Sequence, residues 1–191
     1  LYLRRANRLT AINARYLASA DFKKAWSLDP SVATALPYAA NLRILGKDSE
    51  RLALLRTGSE KFPANAQLQR LLGDAYSGNG NQDMALQQYR KMLDGDPNDF
   101  ETWYEMGLLQ EQLKDTAGAI SSLQKAYGLR KVATYGLELA HLYAEQKNAL
   151  SLEICNDILR QDSASLLIDP LFIKGIYYSN TKQYPKAIAQ F

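Results

Sequence analysis

The sequence predicts an all-α solenoid of antiparallel helical hairpins, and three observations carry that expectation. A small residue returns at Ala39, Gly73, Gly107, Ala140 and Gly175, followed each time three residues later by Leu42, Tyr76, Gln110, Tyr143 or Tyr178. The separations are 34, 34, 33 and 35, the length of a unit that buries its apolar face only by stacking on its neighbours. Turn-forming residues fall near the middle of each unit, and Asp29-Pro30, Phe62-Pro63 and Asp96-Pro97 close several of them.

The units run approximately 1–31, 32–65, 66–99, 100–132, 133–167 and 168–191, with the first and last incomplete, in a single repeat domain 1–191. In the first, Ala18, Phe22 and Ala25 lie on a second helix whose partner starts at or before Leu1. The second carries Tyr38, Ala39 and Leu42, a Gly46-Lys47-Asp48 turn, then Leu52, Leu55 and Phe62-Pro63. The third is the clearest: Leu72, Gly73 and Tyr76, the turn Gly78-Asn79-Gly80-Asn81, then Ala85, Tyr89 and Pro97. Glycine and asparagine tolerate the left-handed backbone of a tight helix-to-helix turn, and proline cannot continue a helix.

The fourth unit repeats this as Trp103, Met106 and Gly107, turns at Lys114-Asp115, and continues through Ala119, Leu123 and Ala126, with Lys131 in place of the final proline. The fifth has Leu139, Ala140 and Tyr143, then Leu152, Ile154 and Leu159, before a polar stretch, Gln161 to Ser165, expected to be a hinge or irregular turn. The sixth starts near Asp169-Pro170, carries Gly175 and Tyr178, turns at Thr181-Lys182, and reaches Ala187 and Phe191. Starting at Leu1 and stopping in a helix that presents Ile188 and Phe191, the chain is expected to continue at both ends. The small residues let paired helices approach closely, while Tyr76, Tyr89 and Trp103 fill the space between hairpins.

These residues resemble the tetratricopeptide repeat, whose unit carries an aromatic, a Leu-Gly pair and a Tyr in its first helix, then Ala, an aromatic and Pro in its second. The resemblance spans essentially all 191 residues. It departs where Arg51 and Leu152 replace the small residue of the second helix and where Gly136 replaces an aromatic. It implies a right-handed superhelix whose first helices line a concave surface where peptides dock. Placed on that surface are Leu36, Arg70, Glu101, Tyr104, Leu108, Glu111, Leu137, His141, Phe172 and Ile176. Acids outnumber arginines along these helices, so the expected partner is a protein or peptide that is amphipathic or basic rather than an acidic C-terminus.

Other chemistry is weakly supported. His141 and Cys155 are each the only residue of their type, yet nothing in sequence orients the imidazole for nucleophilic work. Asp94-Gly95-Asp96-Pro97-Asn98-Asp99 with Glu105 approaches the spacing of a calcium loop, but Asp99 stands where glycine is required; a helix stop followed by a cap explains the run better. Gly78-Asn79-Gly80 lacks the Lys-Ser/Thr of a phosphate loop. Arg4, Arg5, Arg8 and Arg15 read as a solvated face, and the net charge of +3 is too small to imply nucleic acid. No metal, cofactor or catalytic residue is expected, and no apolar run approaches the ~20 residues of a membrane span. The expected function is a non-catalytic interaction scaffold, with an RNA-binding helical repeat or the regulatory domain of a larger enzyme as alternatives. A bacterial envelope location is favoured over a cytoplasmic one by the resemblance.

Overall fold

The computed structural model describes residues 1–161 and 168–191. The described residues form twelve α-helices and no strand. They divide into two compact units, Leu1–Pro97 and Asn98–Phe191. Most of the polar stretch from Gln161 to Ser165 lies outside the described residues; Gln161 ends α10.

The first unit contains α1 (Tyr2–Ala11), α2 (Arg15–Leu28), α3 (Val32–Ile44), α4 (Asp48–Lys61), α5 (Ala66–Gly78) and α6 (Gln82–Gly95), each packed on the next. The second contains α7 (Phe100–Gln112), α8 (Thr116–Leu129), α9 (Ala133–Glu145), α10 (Leu150–Gln161), α11 (Ile168–Asn180) and α12 (Tyr184–Ile188), again packed in succession, with α9 also touching α11.

One turn geometry joins the two helices of every hairpin. The central residue is left-handed in each case: Asn13, Gly46, Gly80, Lys114, Lys147 and Lys182, with φ between 58° and 77°. The amide after it donates back to Leu9, Leu42, Tyr76, Gln110, Tyr143 and Tyr178 at 2.8–2.9 Å, satisfying carbonyls that the helix end would orphan. This is the Schellman closure. The residues recurring three after the small position are therefore the acceptors of the turn, which ties the period to backbone hydrogen bonding as well as packing.

Second helices start on N-caps where the sequence supplies one. Asp115 accepts from the Gly118 amide, whereas Lys47 and Asn81 make no side-chain cap. Between hairpins, Asp99 accepts from Thr102 N at 3.1 Å and from its hydroxyl at 2.6 Å, and Asn65 accepts from Leu68 N. The carboxylate of Asp99 is thus used as a helix cap.

Close approach explains the small positions. A Cβ on Gly73 would overlap the Tyr89 ring, one on Gly107 would stand 2.8 Å from Leu123 Cγ, and one on Gly136 would stand 2.8 Å from the Tyr127 ring. Gly136 stands where the repeat has an aromatic because Tyr127, from the preceding hairpin, already fills that space. Ala39, Ala85, Ala119 and Ala140 are buried, as are Tyr76 and Tyr143, while Tyr178 and Trp103 are half-buried and Pro97 follows the end of α6 exposed.

In the fifth hairpin the buried small residue is Ser151, fully covered, with Leu152 half-buried beside it. The cause is a tight first turn in α10, in which Ser151 N bonds Asn148 O and Leu152 N bonds Ala149 O, advancing the helix face by one residue. The other exception, Arg51, keeps its register: it is the fourth residue of its helix, as Ala85 and Ala119 are of theirs, and it is buried.

Candidate functional site

The first helices of the first unit are α1, α3 and α5, and Leu36 and Arg70 lie on the last two. Between α3 and α5 lies a pocket of about 170 Å³ lined by Leu36, Ala39, Ala40, Arg43, Gln67 and Leu71, with Arg51 entering from α4. Its walls are aliphatic and its charges are both positive. Arg51 is only 6% exposed, and its Nε has no hydrogen-bond partner among the described residues. Burial pushes its pKa down, Asp74 opposes that shift, and nearby Arg43 adds to it. Asp74 is also engaged elsewhere, accepting the Tyr89 hydroxyl at 2.8 Å. Arg70, on the same helix, is half-buried.

The basic cluster at the start of this unit has a structural role in part. Arg5 makes a two-pronged contact with the Asp21 carboxylate, which is 5% exposed, and holds Asp21 below the usual carboxylate range.

In the second unit α7, α9 and α11 carry the predicted surface residues. Tyr104 stacks on Tyr135 with ring centroids 4.4 Å apart, and both pack beside the core of Leu123, Leu139, Leu142 and Tyr143. Burial and the carboxylates of Glu138, Glu105 and Glu111 push the Tyr104 hydroxyl up to about 12. Burial also raises Glu138, Glu111 raises it further, and His141 pulls it down. His141 Nε2 approaches Glu145 at 3.9 Å. Glu105, Glu111 and Glu138 thus place negative potential beside the partly buried Tyr104 ring.

Leu137 and Ile176 pack against the core of Ala140, Ala144, Cys155 and Ile173, so they are wall residues with limited exposure. Phe172 is 54% exposed, with its ring 5.6 Å from that of Phe191. Glu101, Leu108 and Glu111 are half-buried on α7. Sequence reasoning missed Glu138 and Tyr135. Glu138 was legible in principle, because it lies four residues after Thr134 and three before His141 on one helical stripe.

The lone thiol and imidazole do not form a reactive pair. Cys155 is fully buried beside Ala140, Ala144 and Ile173, and desolvation raises its pKa to about 11, only partly countered by Lys174. Among the described residues no group of three His, Cys, Asp or Glu side chains is placed to hold a metal, and no helix is long and apolar enough to cross a membrane.

No curated protein sequence matches the chain. Solved structures do. A tetratricopeptide repeat protein from Parabacteroides merdae superposes with a TM-score of 0.78 at 19% identity, over 99% of this chain and 75% of that one. The C-terminal part of a repeat-containing protein from Cytophaga hutchinsonii gives 0.78 at 21% identity, over 99% and 79%. YrrB, a repeat protein described as having an unusual peptide-binding site, gives 0.68 at 18% identity, over 88% of each chain. At these identities the likeness shows the fold. The sequence pattern adds to it, since the tetratricopeptide repeat family matches residues 66–99 and 100–132, the two hairpins α5–α6 and α7–α8. With the same turn closing the remaining hairpins, the chain has the fold of a tetratricopeptide repeat solenoid, and its residues 66–132 carry the sequence pattern of that family.

Proposed function

We propose that the protein is a non-catalytic scaffold that binds a protein or peptide partner on its first helices, and that the α7–α9–α11 surface of the second unit selects a basic, amphipathic segment. The observation that carries this is the juxtaposition of the Tyr104–Tyr135 stack with Glu138, Glu105 and Glu111. A partly buried carboxylate such as Glu138 is held at a cost, and a partner's ammonium or guanidinium offsets that cost while the aromatic rings supply apolar and cation–π contact. Phe172 and Ile176 on α11 extend the apolar surface. The peptide-binding site named for YrrB is consistent with such a use of the fold.

Selection from a displayed peptide library tests this directly. The expected result is enrichment of sequences with Lys or Arg spaced three or four apart beside apolar residues, lost when Glu111→Lys and Glu138→Lys are combined. Enrichment of acidic peptides, or recovery unchanged by the charge reversal, would move the recognition surface elsewhere. Tyr104→Ala is a poorer probe, because it removes the ring that Tyr135 stacks on.

A further inference from the structure

The positive charge of the chain is concentrated in its first hairpin. Residues 1–31 hold six lysines and arginines against two acids, whereas residues 32–191 hold seventeen against eighteen. Of the two acids, Asp21 is buried on Arg5, and Asp29 stands at the far end of α2. Arg4, Arg8, Lys23 and Lys24 are exposed. On α2 this charge meets apolar surface. Tyr16, Leu17, Ala20, Lys23, Lys24 and Leu28 are all exposed and fall on one helical stripe that carries no acid. Tyr16 is 75% exposed, Leu17 65% and Leu28 62%. At the places of Tyr16 and Leu17, α4 has Ser49 and Glu50 and α6 has Asp83 and Met84, all exposed. The α3–α4 hairpin has a neighbour on either side and still leaves Ser49 and Glu50 open, so stacking does not cover this face. Glu50, which shares a cavity with Lys23, is taken by Lys47 at 2.7 Å.

We infer that the outer face of α2 docks on an anionic lipid surface, with Tyr16, Leu17 and Leu28 entering the headgroup layer and Lys23 and Lys24 meeting the lipid phosphates and carboxylates. Lysine suits that depth, because its stem lies along apolar surface while its ammonium stays among the headgroups. Arg8 and Ile12, exposed at the end of α1 and in the turn that follows, continue the same combination toward Tyr16. The cations draw the face to a negative surface within a Debye length, and the apolar side chains hold it there. Charge alone would suit a nucleic acid equally. The leucines decide between them, since a phosphate backbone offers them nothing and single strands are held by aromatic stacking. The face lies wholly in the Leu1–Pro97 unit, so it stands or falls separately from the acidic surface of the second unit.

Co-sedimentation of the intact chain with vesicles tests this, using phosphatidylcholine alone and phosphatidylcholine with about 30% phosphatidylserine. Binding is expected to the mixed vesicles only, and to fall as salt rises from about 0.1 to about 0.5 M. Tyr16→Ser combined with Leu17→Ser should weaken it about fivefold or more, and Lys23→Glu combined with Lys24→Glu about tenfold or more. All four side chains are exposed, so both variants should melt with the parent protein. Arg90→Glu combined with Lys91→Glu makes the same change of net charge on the exposed face of α6 and should leave binding within about twofold. An equal loss in that control would reduce the effect to net charge and overturn the assignment to α2. So would equal binding to both vesicles, no binding to either, or full binding by the serine variant. Tighter binding of an RNA of about 20 nucleotides than of mixed vesicles would assign the cations to nucleic acid instead. Dimerisation in the absence of vesicles, lost in the serine variant, would show that the face belongs to a second copy of the chain.

Discussion

The ring of Tyr89 on α6 occupies the space that a side chain on Gly73 of α5 would need, and its hydroxyl donates to Asp74 on the same helix. Tyr89 is 2% exposed, so it has no room to retreat. Gly73→Ala is therefore expected to destabilise the protein by roughly 1–3 kcal/mol, the usual cost of overpacking. Gly78→Ala, in the last turn of the same helix and with open space around the new methyl, should stabilise by about 0.5–1 kcal/mol through helix propensity. Denaturant melts of both variants make the comparison, and equal effects would show that the contact does not govern the substitution.

The left-handed turn residues are Asn13, two glycines and three lysines. Lys114 and Lys147 hold φ at 64° and 58°, a conformation that strains a residue with a Cβ. Replacing either by glycine should raise stability by about 0.5–1 kcal/mol, the relief of strain less the greater freedom of the unfolded chain. Gly80→Ala should cost a similar amount in the opposite direction. A loss of stability in Lys147→Gly would mean that the lysine side chain supplies contacts outweighing its strain.

Glu138 carries a prediction for pH. Its folded pKa lies above the ordinary 4.5, because burial and Glu111 disfavour the charge. A raised folded pKa means that the protonated carboxyl supports the fold below about pH 4.5 and that this support is lost as pH rises through the folded value. Glu138→Gln should therefore raise the melting temperature at pH 7 and make little difference at pH 4. A variant equally stabilised at both values would trace the gain to packing instead of charge.

Cys155 should be inert in the native state. Its thiol is fully buried and its pKa is about 11, so a disulfide reagent at pH 8 is expected to react slowly in buffer and fast in denaturant. Rapid native labelling would show that α10 opens locally, exposing the core that Cys155 shares with Ala140 and Ile173.

Residue size and turn chemistry act locally, and the sequence by itself determined the features that depend on them. The spacing of Gly73, Gly107 and Gly175, the left-handed position at Gly80 and the stop at Asp96-Pro97 each act within a hairpin, so the period, the helix pairs and their turns were legible without a structure. Tertiary packing decided the rest. Ser151 replaces Leu152 in the buried position because the first turn of α10 tightens, and Gly136 stands where an aromatic was expected because Tyr127 comes across from the neighbouring hairpin. Tyr135 becomes a surface-building residue only through its stack on Tyr104 from another helix, and Glu138 acquires its raised pKa only through burial and the neighbouring Glu111. Arg51 reads in sequence as a mere exception to a small-residue rule. Its buried, unpartnered Nε exists only once α3, α4 and α5 have closed around it, since desolvation belongs to the assembled neighbours and to no single residue.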